Sequence, residues 1–205
     1  MHTRTHAQIA SDLKNFLADS YPNIAVRVET FGPDPTRTAI YFTEEKFSLI
    51  YPTQRFHYLS HLIPAEYQDL HLKDTFWFEL APGEDPDALV YPDDDLVRDI
   101  TPDVMKCLHG SRFFHALDDR MCPVDPSVPR ASCWGDYRVS KSILPGLGFP
   151  EAKHFDVFHV LMAQGGFCDC EILLNVVSES RLKTEYWKAR EAGRSCTSPS
   201  HTPAV

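Results

Sequence analysis

Apolar residues recur at helical spacing at Ile9, Ala10, Leu13, Phe16 and Leu17, which predicts an amphipathic helix over 7–18 closed by Pro22. Ile24–Thr30 then alternates apolar and polar positions as a half-buried strand does. A turn cluster, Gly32-Pro33-Asp34-Pro35, leads to a second strand at Thr38–Thr43, and Glu44-Glu45 turns the chain into a third at Lys46–Tyr51. The opening therefore reads as a helix with a small antiparallel meander. Aromatics at mixed helical spacing predict a helix over Thr53–Leu62 and another over Ala65–His71, with Pro64 between them. Thr75–Leu80, centred on Phe76-Trp77-Phe78, reads as a buried strand, and Ala81-Pro82-Gly83-Glu84 as a type II turn.

Past the acidic, proline-bearing stretch Asp85–Asp95, Leu96–Ile100 is a weak helix. Thr101-Pro102-Asp103 offers a cap, a first-turn proline and an acid for a second one ending at Leu108. Ser111–Asp119 follows with Phe113, Phe114 and Leu117 inward. Three prolines over 122–129 suggest a domain boundary or major hinge there. Beyond it, helices at Tyr137–Leu144 and Glu151–Gln164 lead to Gly165, placed to adopt the left-handed conformation after a helix end. A strand at Cys168–Val177 and a charged helix at Glu179–Glu191 complete the pattern, and 193–205 reads as a disordered tail. The fold expectation is α+β. It comprises an α+β domain over 1–120 and a helix-helix-strand-helix unit over 121–192.

A hydrophobic content of 43% sets aside wholesale disorder. The formal net charge of −9, with lysines and arginines scattered, argues against a nucleic-acid partner. The chain has no apolar leader and no apolar run of membrane-spanning length, which predicts a cytoplasmic protein with no membrane partner. In that compartment the six cysteines are expected as free thiols or metal ligands.

The densest chemistry lies in Gly165-Gly166-Phe167-Cys168-Asp169-Cys170-Glu171 and the apolar run to Val177. Through this motif, residues from about Cys133 to Val177 resemble a bacterial family known as domain of unknown function 2695. Its signature is a Cys-Asp-His-Thr opening to a helix, a second helix, then Gly-Gly-Tyr-Cys-Asp-Cys-Glu-Val and a strand. The second half matches at Gly165 to Asn175. In the first half Cys133 falls on the family's first cysteine, but Trp134 and Gly135 stand where the family has Asp and His. The resemblance implies no activity. It does imply a Cys3His set of the kind that holds structural zinc, here reduced to Cys133, Cys168 and Cys170. Asp136, Cys122, His154 and His159 are the possible substitutes for the missing ligand.

Three readings of these cysteines compete. Strand alternation puts Cys168 and Cys170 on the buried face with Ile172, Leu174 and Val176, leaving Asp169 and Glu171 toward water as binding candidates. Cofactors are then absent. Zinc at the three cysteines is the sharper alternative, and a labile Cys-x-Cys disulfide is the third. Elsewhere, His57 and His61 are four apart on a helix; the simpler reading is two histidines on its wet side, and the sharper one makes them binding candidates, at the spacing that lets two imidazoles meet one metal. Asp93-Asp94-Asp95 reads as a helix cap and Asp118-Asp119-Arg120 as a polar helix end. Trp134 and Phe76–Phe78 read as packing. With no nucleophile elbow or phosphate loop, the function expected is a non-enzymatic binding or regulatory module with a protein partner. The alternative is a metal-dependent enzyme or a structural zinc protein.

Overall fold

The computed structural model describes residues 5–33, 37–67 and 75–192. The chain divides into two compact units, Met1–Tyr91 and Pro92–Val205. The combination is α+β, with helices and, among the described residues, one three-stranded sheet.

The first unit opens with α1, His6–Leu17, held by a capping box. Thr5 Oγ1 accepts from Gln8 N, while Gln8 Oε1 accepts from Thr5 N at 2.9 Å. Strand β1, Ala25–Thr30, pairs antiparallel with β2, Thr38–Thr43. The meander ends there. Lys46–Tyr51 forms no strand: Glu45–Leu49 is a 3-10 turn leading into α2, Pro52–Ser60. The third strand is β3, Thr75–Leu80, and it runs parallel to β2 with Ile40 opposite Trp77 and Phe42 opposite Glu79. A parallel partner requires a crossover instead of a hairpin, and the stretch carrying α2 supplies it. The helix expected at Ala65–His71 is helical at 65–67, and its remainder lies outside the described residues, as do Asp34-Pro35 and the expected tail.

The inward sheet face carries Ile40, Phe42 and Trp77 against Leu13 and Leu17 of α1, Phe47 and Leu59. At its edge stands a buried charge cluster. Arg55 donates to the Glu79 carbonyl at 2.7 Å and to both carboxylate oxygens of Glu84, which also accepts from Ala81 N. The Pro-Gly turn is present, with Gly83 at φ +84° and Glu84 N bonded to Ala81 O at 3.1 Å.

In the second unit, Asp93 caps α3, Asp94–Gly110, by accepting from Asp95 N and Leu96 N, as the acidic triplet predicts. The expected break at Thr101-Pro102 is absent. Asp94–Gly110 is one helix with Pro102 inside it, and Thr101 Oγ1 donates to Val97 O within that segment. Helices α4 (Phe113–Met121), α5 (Arg138–Ile143) and α6 (His154–Ala163) follow, and α3 packs along α6. Both α3 and α4 were expected in a 1–120 domain; they pack with the C-terminal helices. The proline stretch 122–129 lies inside this unit, its far end tied back by Ala131 N to Arg120 O at 2.9 Å. Prolines there mark irregular backbone, and the division falls instead in the acidic stretch at Tyr91/Pro92.

Glu79 generates a pH prediction. Its side chain is 5% exposed, its Oε1 has no hydrogen-bond partner among the described residues, and burial pushes its pKa from 4.5 up to about 7 against the pull of Arg55. Because the folded pKa is raised, the folded unit keeps a proton that the unfolded chain has released. Stability is therefore fully present below about pH 4.5 and declines as pH rises through 7, by at most about 3 kcal/mol. Urea midpoints at pH 5 and pH 8, followed through Trp77 in a Trp134→Phe/Trp187→Phe background, should show this decline in the parent and a flat profile in Glu79→Gln.

Candidate metal centre

Cys168–Val177 is helical, not a strand. Cys168 is the extended cap (φ −154°, ψ 174°) of a short helix, α7, Asp169–Glu171, which runs on as the π-helical turn Ile172–Val176. The residues buried are Ile172, Leu173 and Val177, not the alternating set Ile172, Leu174, Val176. A short apolar run supports either a buried strand or a buried helix, and here the preceding glycines decide. Gly165, at φ +85°, and Gly166 close α6 through Gly165 N to Met162 O and Gly166 N to Leu161 O, both 2.9 Å. A Cβ on Gly166 would sit 2.7 Å from Val176 Cγ2 and 3.2 Å from Ile172 Cα, so its bare backbone lets the returning turn pack directly beneath. Tyr137, stacked on Phe158, donates its hydroxyl to Gly166 O at 2.5 Å.

This turn brings three sulfurs together. Cys133, ahead of α5, lies 3.6 Å from Cys168, and Cys168 lies 3.2 Å from Cys170, Sγ to Sγ; all three are within 4.8 Å of one another. They are 7%, 1% and 8% exposed. Residues two apart on a helix do not face each other, but the extended backbone at Cys168 swings its sulfur toward that of Cys170. Cys133 Sγ is in hydrogen-bond contact with both partner sulfurs and with the backbone N–H groups of Gly135 and Cys170, and these contacts pull it far below the ordinary thiol range. Cys168 and Cys170 are pushed up, foremost by their bonds to Cys133. The trio is three sulfurs in mutual hydrogen-bond contact, with two backbone donors directed at Cys133.

Asp169, expected toward water, is fully buried. Its carboxylate accepts from Val139 N and Ser140 N at 2.9 Å and from Ser140 Oγ at 2.6 Å, so it caps α5 from a distant segment. Burial raises its pKa to about 7 against those three donors. Glu171, half-buried, accepts from Phe167 N at 3.1 Å and steadies the start of its own helix.

None of the four possible substitutes joins the sulfurs. Asp136 is bidentate with Arg138, and Cys122 is packed toward Glu185. His154 Nε2 meets Phe149 O, and His159 Nδ1 meets Phe155 O. Among the described residues no other His, Cys, Asp or Glu extends the trio. His57 and His61 do come together, with rings 4.6 Å apart, but on the first unit and in no such group. Trp134 is 45% exposed under the Arg138 guanidinium, a surface residue and not packing. Asp118 is no simple polar helix end: it is buried and accepts from Arg181 N and Leu182 N, capping α8, Arg181–Glu191.

Residues 121–175 match the family model described as Protein of unknown function (DUF2695). No curated protein and no solved structure matches the chain. The DUF2695 span encloses all three sulfurs, α5, α6 and the glycine stop, so the matched residues and the sulfur cluster coincide. It leaves out the first unit.

Replacing Asp169 strands two backbone N–H groups and a hydroxyl in a buried site. Asp169→Ala is expected to cost about 3 kcal/mol, and Glu171→Ala about 1 kcal/mol or less. Urea unfolding followed by helical circular dichroism separates the two; equal costs would contradict the assignment of Asp169 as the buried cap.

Proposed function

We propose that the protein is a non-enzymatic binding or regulatory module whose C-terminal unit is built around a metal ion, with Cys133, Cys168 and Cys170 as thiolate ligands and zinc as the ion. The observation that carries this reading is the convergence of three buried sulfurs from segments 35 residues apart. Sulfurs sharing one zinc at ~2.3 Å bonds stand ~3.8 Å apart, close to the 3.6 Å between Cys133 and Cys168. A metal there would pin the segment ahead of α5 to the turn after α6, which favours a structural role; a fourth ligand would come from outside the trio. Burial of the sulfurs supports binding over catalysis, since little of the cluster faces a substrate.

The test is metal content and stability of the full chain purified under reduction. One zinc per chain is expected. With free zinc at ~100 times its dissociation constant, zinc should stabilise the second unit by about 3 kcal/mol over the chelated form. Cys133→Ser should lose both effects, while Cys107→Ser, at an exposed cysteine outside the cluster, should keep them. A zinc-reconstituted chain with no bound metal and no stability change would remove the proposal.

A further inference from the structure

The three sulfurs form a donor set with two unusual constraints: it is all sulfur, and among the described residues nothing completes it. Zinc prefers four ligands, so three thiolates leave one vertex to be filled from outside. An ion that needs only three ligands fits the cluster as it stands. Arsenic(III) is such an ion: it binds three thiolates in a pyramid, and its lone pair occupies the fourth vertex.

Charge points the same way. Three thiolates with a divalent ion leave one net negative charge in a site whose sulfurs are 8% exposed or less, and burying an uncompensated charge is costly. The neighbouring groups do not supply the missing positive charge. Arg138, the cation beside Cys133, is held in a bidentate pair by Asp136, and Glu171 adds a carboxylate on the Cys170 side. A trivalent ion with three thiolates is neutral. The arriving species is neutral too, since arsenite is As(OH)3 near neutral pH, and the residual exposure of Cys133 and Cys170 gives a small uncharged molecule a way in.

We infer that the Cys133–Cys168–Cys170 cluster is a trithiol receptor for a trivalent thiophilic metalloid, with arsenite as its representative ligand. Binding is ligand exchange without redox chemistry: As(OH)3 and three thiols give one As(S-Cys)3 unit and three waters. Three As–O bonds and three S–H bonds break, three As–S bonds form, and each released hydroxide takes one thiol proton. This deepens the metal-site reading and rests on the same three ligands.

The full-length chain, metal-free and kept reduced with a phosphine, is titrated separately with sodium arsenite and with zinc chloride, and the products are read by native mass spectrometry. Arsenite should bind once per chain with a mass gain of one arsenic less three hydrogens, which reports three consumed thiols. Cys133→Ser should weaken it at least ~10-fold and leave only two thiols consumed, while Cys107→Ser changes nothing. The parent chain alone decides the matter should the serine variant fail to fold. Arsenite consuming two thiols or none overturns the inference; if zinc still binds, the zinc reading survives it. Arsenite bound through three thiols without zinc binding supports the inference and removes zinc as the ion. Binding of neither ion ends both.

Discussion

The second unit depends on one carboxylate. Asp169 is fully buried and gives both oxygens to the N-terminus of α5, while its own N–H donates to Asp136 O at 3.1 Å. These bonds join two segments about 30 residues apart, the one that carries Cys133 and the one that carries Cys168 and Cys170. The sulfurs meet because the backbones on either side of Asp169 are already clamped. A short helix such as α5 has its first N–H groups unsatisfied and no side-chain cap of its own at Tyr137. The remote aspartate supplies that cap and fixes the sulfur geometry with the same atoms.

The helices were largely legible in the sequence, because their apolar stripes and caps are local signals: the acids ahead of α3, the glycine pair after α6, the apolar spacing of α1. What was not legible depended on long-range pairing. Lys46–Tyr51 has a strand's composition, yet the third strand of the sheet is Thr75–Leu80, chosen by parallel packing on β2 across a crossover that no local pattern announces. The run after Gly166 was misread for a related reason. Cys168, Cys170, Ile172, Leu174 and Val176 satisfy a period of two, but the glycine stop feeds the chain into a turn under Gly166. The π-helical turn then buries Ile172, Leu173 and Val177. Once that period failed, the inference that Asp169 faces water failed with it. The three cysteines themselves were visible through the DUF2695-like motif; their convergence was visible only in the structure.

The first unit handles its buried charge differently. Arg55 spans the Glu79 carbonyl and the Glu84 carboxylate, and Glu84 in turn holds Ala81 N, so one guanidinium ties α2 to the turn that ends β3. The Glu79 carboxylate gains nothing comparable from Arg55, whose bond goes to the carbonyl of the same residue. Local sequence shows a Glu on the inward side of an aromatic strand but cannot show which of its oxygens the arginine will choose. The same residue type is therefore a clamp at Glu84 and a buried liability at Glu79.

Gly135 joins the backbone turn to the chemistry of the sulfurs. It has φ +76°, a conformation that side-chain-bearing residues rarely adopt, and its N–H donates to Cys133 Sγ. A side chain at this position would have to accept that backbone or move it, and moving it would disturb the donor to Cys133 Sγ. Asp169 and the Gly165–Gly166 stop likewise hold the two cysteine-bearing segments in place. The geometry of the cluster is set by the protein's own hydrogen bonds.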